Sequence, residues 1–225
     1  MILYQQVKEG IFLSRPNRFI AHVRVDGKEE VCHVKNTGRC QELLVPGAKV
    51  TLSVSDNPSR KTKYDLVAVR KGDTYINMDS QAPNHAAGEA LWQLLSGVKK
   101  VKGEVTHGDS RLDFCVETEK ETWFVEVKGV TLEKDGHALF PDAPTERGIR
   151  HLHTLIKCVE EGHRAAALFV IQMKGVHTFS PHDRMHPAFG DALREAAQKG
   201  VEIWAYDCVV TERGMNVDQP VPVKL

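Results

Sequence analysis

The chain has 225 residues, of which 41% are hydrophobic and 27% charged, and its formal net charge is zero. This ordinary composition fits one large or two small globular domains, and the charge balance excludes an overall field that would indicate a nucleic-acid or membrane partner. Five cysteines at irregular spacings, with no CxxC pair, indicate neither a disulfide framework nor a zinc site. No segment has the apolar core of a signal peptide or of a membrane span, so we expect a soluble cytoplasmic protein with no membrane partner.

The charges are divided unevenly along the chain. Residues 1–82 carry 13 lysines and arginines against 9 acidic residues, whereas residues 83–225 carry 17 against 21. A basic domain joined to an acidic one would suit a phosphate-binding module beside a metal-binding module. A chance partition of so few charges is the alternative. We place the domain boundary between residues 82 and 83.

Short strands with polar turns fill the first part of the chain. The strands are predicted at residues 10–13, 18–25, 30–34, 49–54 and 65–70. The dipeptide Asp26-Gly27 between two alternating runs is a strong signal for a β-hairpin turn. Five short strands in so short a segment favour a small barrel, and the OB fold is the first choice.

A basic loop interrupts these strands at residues 55–64, SDNPSRKTKY. Arg60, Lys61 and Lys63 offer cations for phosphates, and Tyr64 offers a ring on which a base could stack. Nearby arginines, among them Arg18 and Arg39, add to the density of cations. An ordinary solvated loop is the alternative interpretation.

The second part of the chain alternates helices and strands. Helices are predicted at 86–95 with Asn84 as N-cap, at 142–161 with Asp142 as N-cap, and at 187–199. Strands are predicted at 101–107, 110–116, 123–131, 165–172 and 201–206. This order predicts a mixed α/β sandwich.

Two of these strands carry the strongest chemical signal. Glu126 and Lys128 flank Val127 in one strand and therefore share a face, and Asp113 in the preceding strand could bring a second carboxylate to them. Oxygen ligands of this kind favour Mg²⁺ or Mn²⁺. The spacing, D-x12-E-x-K on a hairpin, resembles the PD-(D/E)xK nuclease site. A surface hairpin with a salt bridge between its strands is the alternative.

Three further residues could belong to this site. Glu104 lies in the strand before Asp113 and could be a third metal ligand, or it could simply face solvent. Arg147 and His151 are four residues apart on one helix face. They could contact phosphate if that face turns toward the hairpin, and would be ordinary surface residues if it turns outward.

Several long motifs together resemble the sugar fermentation stimulation protein A (SfsA) family. They are RFIAHV at 18–23, HVKNTGRCQELLVPG at 33–47, SDNPSRKTKY at 55–64, SRLDF at 110–114, EVKGVTL at 126–132, FPDAPTERGIRHL at 140–152 and GVEIWAY at 200–206. The resemblance implies an N-terminal OB-like domain, a C-terminal PD-(D/E)xK restriction-endonuclease-like domain and nucleic-acid binding. By position, it implies that Asp113, Glu126 and Lys128 form the nuclease triad, with Glu104 as accessory carboxylate.

These observations predict a nucleic-acid-binding protein with a metal-dependent phosphodiesterase site, using Mg²⁺ or Mn²⁺. DNA is favoured over RNA as the partner, and no oligomeric state is predicted. The alternative is a DNA-binding regulator of sugar metabolism genes that uses a nuclease-like fold without cutting.

Overall fold

The computed structural model describes residues 1–36 and 38–225. In the first part of the chain the strands are β1 (Val7–Asn17), β2 (Ile20–Val25), β3 (Lys28–Val34), β4 (Lys49–Val54), β5 (Tyr64–Lys71) and β6 (Thr74–Asn77). Next come helix α1 (Ala82–Leu94) and strands β7 (Val98–His107), β8 (Ser110–Thr118), β9 (Thr122–Val130), β10 (Glu133–Lys134) and β11 (His137–Phe140). The chain continues with α2 (Glu146–Glu160), β12 (Arg164–Ile171), β13 (Thr178–Pro181), α3 (Pro187–Gln198), β14 (Glu202–Thr211) and β15 (Gly214–Pro220).

The first six strands form one sheet in the order β3-β2-β1-β4-β5-β6, and parallel pairing of β3 with β5 closes strands β1 to β5 into a barrel. Asp26 and Gly27 both have positive φ, of 49° and 80°, as the predicted two-residue hairpin turn requires. The predicted OB-like barrel is confirmed.

Two strands of this sheet differ from the prediction. β1 spans Val7–Asn17 rather than four residues, because irregularities in its register after Phe12 and Ser14 let one bent strand pair with both β2 and β4. β6, at Thr74–Asn77, was not predicted, since a run of four residues carries too short an alternation to be recognised.

The second sheet has the order β15-β14-β12-β9-β8-β7, with β9, β12 and β14 parallel and the flanking strands antiparallel. β9 therefore lies inside the sheet, between β8 and β12. Its side chains alternate as predicted: Val125 and Val127 pack in the apolar cluster under α1, and Phe124 and Val130 pack in the cluster that includes α2 and α3. The mixed α/β class predicted for this part is confirmed.

The predicted caps of the first two helices are wrong. α1 begins at Ala82 with Gln81 as N-cap, earlier in the chain than predicted, because proline is favoured in the first turn of a helix and Pro83 occupies that turn. Asn84 therefore lies inside the helix. α2 is capped by Thr145, whose hydroxyl accepts the N–H of Gly148, and not by Asp142. Pro144 disfavours helical geometry in the residue before it, which delays the start of this helix.

A buried polar network joins the barrel to the second sheet. The side-chain amide of Gln172, at the end of β12, donates to the main-chain oxygens of Asn77 (3.0 Å) and Asp79 (3.2 Å) and to Asn77 Oδ1 (3.0 Å). Lys35 Nζ lies 2.7 Å from Asp79 Oδ2. The barrel is thereby held against the carboxyl ends of β9 and β12. The domain boundary between residues 82 and 83 stays a prediction.

None of the helices in residues 1–36 and 38–225 is long and apolar enough to cross a bilayer.

Candidate active site

Asp113 and Glu126 lie on neighbouring strands where the β8–β9 ladder ends. The last pair in register is Phe114 with Val125, so the next step would place Asp113 opposite Glu126. In place of main-chain pairing there, Asp113 Oδ2 accepts the N–H of Val127 at 2.7 Å. Asp113 Oδ1 accepts the side-chain amide of Asn84 from α1 at 2.8 Å. The carboxylate is therefore fixed from two sides.

Glu126 is 3% exposed, and its two carboxylate oxygens have different surroundings. Oε1 accepts Lys128 Nζ at 2.5 Å and also His151 Nδ1 from α2. Oε2 is buried and has no hydrogen-bond partner among the described residues. A buried carboxylate oxygen without a partner is costly, and such an atom calls for an explanation such as an ion that belongs there.

The predicted helix face of Arg147 and His151 turns toward the hairpin. Arg147 Nε donates to His151 Nε2 at 3.3 Å, so in neutral His151 the proton is on Nδ1 and is donated to Glu126. The guanidinium of Arg147 is otherwise exposed. His151 is 6% exposed and thus fixes the orientation of Glu126 instead of making the phosphate contact predicted for it, while Arg147 is exposed to solvent.

The pKa values of the two carboxylates are shifted in opposite directions. Burial, reinforced by the negative charge of Glu126, raises the pKa of Asp113 against the hydrogen bond from Val127 and the charge of Lys128. Burial also acts to raise the pKa of Glu126, but hydrogen bonds from His151 and Lys128 outweigh it and the pKa is lowered. Two close carboxylates with one cationic side chain leave a place where a further cation is favourable.

Glu104 is not brought to these residues. Its side chain is 73% exposed and lies 3.5 Å from Arg111 Nη2, and its backbone has a positive φ of 54° that interrupts the regular strand. Among the described residues no group of three or more histidine, cysteine, aspartate or glutamate side chains is placed to hold a metal. The structure therefore gives no support to Glu104 as a third ligand.

Asp113 and Glu126 nevertheless fit the divalent cation that the PD-(D/E)xK spacing implies. The orphaned Oε2 of Glu126 offers one buried oxygen, and each oxygen of Asp113 keeps a second lone pair after its one hydrogen bond. Carboxylate oxygens are the ligands that Mg²⁺ and Mn²⁺ prefer, and one or two of them from protein are usual for Mg²⁺.

The basic loop at 55–64 does not offer the surface predicted for it. Arg60 forms a two-pronged ion pair with Asp65, at 2.9 and 2.6 Å. The ring of Tyr64 is in the barrel core, 4% exposed, and cannot stack on a base. The stacking role predicted for Tyr64 is therefore wrong, because its position in the β5 alternation turns it inward. Lys61 and Lys63 remain exposed.

Replacing Arg60 by alanine should destabilise the barrel without weakening nucleic-acid binding. Hydrogen bonds from Arg60 and His33 outweigh burial and lower the pKa of Asp65, so this carboxylate stabilises the fold above its unfolded pKa. We expect Arg60→Ala to cost about 1.5–3 kcal/mol at pH 7. The difference from wild type in urea unfolding should persist from pH 7 to about pH 5 and shrink as Asp65 is protonated, below its unfolded pKa of about 3.9. A loss of binding without a loss of stability would contradict this role.

Arg18 and Arg39 lie on the rim of an open cavity of about 490 Å³ on the barrel, the Arg39 cavity. Phe12, Arg15 and Leu44 also line it. Arg15 was given no role of its own in the sequence, since only the folded loops show that its guanidinium is enclosed by main-chain carbonyls. The hydrogen bond from Asn84 to Asp113 was also not predicted, because an asparagine near a helix start is readily explained as an N-cap and no other role was considered for it.

Family models match both parts of the chain. A model described as SfsA N-terminal OB domain matches residues 13–78, and one described as Sugar fermentation stimulation protein RE domain matches residues 81–214. Curated relatives align over nearly the whole length. The sugar fermentation stimulation protein homologs of Ruminiclostridium cellulolyticum and of Desulfitobacterium hafniense strain Y51 are 53% and 55% identical, covering 99% of this chain and 99% and 98% of theirs.

One solved structure is similar over the full chain. It is that of Pyrococcus furiosus SfsA in complex with Ca²⁺, with 30% identity and a TM-score of 0.90, covering 100% of this chain and 98% of that one. The arrangement of barrel and α/β domain is thus shared with that protein.

Proposed function

This chain belongs to the sugar fermentation stimulation protein A (SfsA) family, and from that premise and its acidic site we propose that it is a nucleic-acid-binding, divalent-metal-dependent phosphodiesterase. The observation that carries the proposal is the buried, unpartnered Oε2 of Glu126 beside Asp113 and Lys128. A carboxylate used only for a structural salt bridge has no need to leave one oxygen buried and unsatisfied. The Ca²⁺ in the Pyrococcus furiosus structure supports a site for a divalent ion in this family.

Each residue of the site has a role that follows from its surroundings. Asp113 and Glu126 would hold Mg²⁺ or Mn²⁺, and a metal bound there supplies Lewis-acid stabilisation of phosphoryl charge and a lowered pKa for water. Lys128, 17% exposed, is close enough to Glu126 to orient the attacking water or to neutralise developing charge. His151 is a positioning residue, because it acts by fixing Glu126. Arg147, exposed at the mouth, would steady the scissile phosphate.

The test is incubation of the purified protein with labelled single-stranded and duplex DNA and RNA. Reactions contain Mn²⁺ or Mg²⁺, or a chelator. Metal-dependent cleavage of any of these substrates supports the proposal and identifies the substrate. Binding without cleavage by any metal would favour the non-cleaving regulator.

Metal binding should also stabilise the fold, which gives a readout independent of activity. At a Mn²⁺ concentration about 100 times the Kd, we expect a gain of about 2.7 kcal/mol in unfolding free energy, measured as a rise in Tm. Glu126→Gln should lose most of that rise, whereas the exposed Glu104→Gln should keep it. An equal rise in all three proteins would place the metal elsewhere.

A further inference from the structure

We propose that the Arg39 cavity binds an unpaired nucleotide and thereby holds a single strand of nucleic acid on the barrel. This inference rests on the proposed function in taking nucleic acid as the substrate, and it adds that the substrate is single-stranded. It also assigns the main nucleic-acid contact of the barrel to the C-terminal end of β1 and to the segment that follows β3, and not to the loop at 55–64.

The chemistry of the Arg39 cavity suits a nucleotide. Arg18 and Arg39 are exposed on its rim, and neither pairs with a carboxylate of the described residues. Phe12, Leu44 and Pro46 supply apolar surface within about 490 Å³. Unpaired guanidinium groups beside apolar surface match a ligand that combines phosphate with a flat, weakly polar base.

The side chain of Arg15 fixes the walls of this cavity before any ligand binds. Its Nη1 donates to the carbonyl oxygens of Gly38 (2.8 Å) and Arg39 (2.7 Å), and its Nη2 donates to those of Arg18 (2.8 Å) and Asn36 (2.7 Å). The guanidinium of Arg15, which is partly buried, thus holds both segments that carry Arg18 and Arg39. The cations are positioned before a ligand arrives, which lowers the entropic cost of binding.

A second, smaller cavity lies between the barrel and the end of β9 and shares one lining residue with the Arg39 cavity. We call it the junction cavity; it has a volume of about 170 Å³, and Gly38 lines both cavities. Ser80 lies on its barrel side, and Gly129 and Thr131, at the end of β9 and just after it, lie on the other side. A ligand in the Arg39 cavity therefore lies on the side of the barrel that faces the second domain.

The binding of a base in the Arg39 cavity would select for a single strand. A base held in a duplex must first be unpaired and unstacked before it can enter a cavity of this kind. Single-stranded ends and gaps meet no such cost, and an exposed aromatic residue, Phe19 (52% exposed), follows Arg18 in the chain and offers a surface on which a further base could stack.

The test is fluorescence anisotropy in chelator, where no metal-dependent cleavage occurs, with labelled 12-nucleotide strands of DNA and RNA and the matching duplexes. We expect single strands to bind at least ~10-fold more tightly than duplexes, and Arg39→Ala to weaken them ~10-fold. Arg39→Ala should also reduce the slope of log K against log salt by about 0.7, the value for one phosphate contact on a single strand. Arg24→Ala removes an exposed barrel arginine that lines neither cavity and should match wild type.

A second measurement locates the strand. A single strand carrying a photoreactive thymine is cross-linked to the protein, and the modified peptides are identified by mass spectrometry. Cross-links within residues 38–46 support the proposal. The proposal would be overturned if duplexes bound as tightly as single strands, or if Arg39→Ala bound single strands as tightly as wild type does. Cross-links confined to residues 55–64 would overturn it as well. If the protein binds a strand in the Arg39 cavity but never cleaves it, this inference is upheld and the proposed phosphodiesterase activity is refuted. If the protein cleaves duplexes only, the phosphodiesterase activity is upheld and this inference is refuted.

Discussion

Replacing Lys128 by alanine is expected to lower the rate of metal-dependent cleavage by about 10²- to 10³-fold, the usual cost of removing one preorganised charge-stabilising group. The ammonium of Lys128 is 2.5 Å from Glu126 and mostly buried, so it is held beside a carboxylate that would bind the metal in the proposed site. Single-turnover cleavage of a labelled strand at saturating Mn²⁺ measures the effect. Affinity for the strand in chelator should stay within about 2-fold of wild type, because the phosphate contacts proposed for binding lie on the barrel.

Two exposed residues of the same domain provide controls. Lys102→Ala removes an exposed lysine of β7, and Glu104→Gln removes the charge of the carboxylate that the structure places on Arg111 rather than at the site. Both variants should cleave at rates near that of wild type. If Glu104→Gln loses as much activity as Lys128→Ala, the site rearranges on binding metal and the accessory role predicted from the sequence is restored. An unchanged rate in Lys128→Ala would exclude Lys128 from the chemistry.

Replacing Gly129 by alanine is expected to destabilise the protein by about 3 kcal/mol, at the upper end of the range for overpacked sites. A Cβ there would lie 2.6 Å from Gln172 Oε1 and 2.7 Å from Pro83 Cγ. Neither neighbour can easily move: the amide of Gln172 donates to Asn77 and Asp79, and Pro83 lies in the rigid first turn of α1. The extra methyl group would therefore strain the junction of the two domains beside Lys128.

Urea unfolding measures this loss, and Gly103→Ala is its matched control. Gly103 is also a strand glycine, but its added Cβ would find no atom closer than 3.8 Å. We expect Gly103→Ala to change stability by less than about 1 kcal/mol, or to stabilise the strand slightly, because glycine weakens strand interiors. Equal effects of the two substitutions would show that the contact with Gln172 relaxes freely.

The sequence predicted the parts of the fold that depend on short-range patterns. Alternation and the Asp26-Gly27 turn indicated the barrel, and long apolar strands between helices indicated the α/β sheet. The signals that failed were local ones with competing interpretations. Asn84 and Asp142 are both good cap residues, but the prolines next to each helix decide where it starts. Strand β6 is too short for its pattern to stand out from a loop.

The candidate site was predicted only as far as local periodicity reaches. Strand alternation places Glu126 and Lys128 on one face, and helical spacing places Arg147 and His151 on one face, but neither pattern shows that His151 pairs with Glu126. The unpartnered oxygen of Glu126 and the burial of Tyr64 depend on tertiary packing, which no spacing encodes. Cation density alone could not separate Arg60, which is used inside the fold, from Arg39, which is exposed.

The measurement that tests the central claim most directly is anomalous diffraction from crystals of this protein soaked in Mn²⁺. The account predicts one strong peak within coordination distance, about 2.0–2.2 Å, of carboxylate oxygens of Asp113 and Glu126, with Oε2 of Glu126 among the ligands. The same peak should be absent from crystals of Glu126→Gln. A fully soaked crystal with no peak at these carboxylates, or with its only peak at another site, would contradict the account.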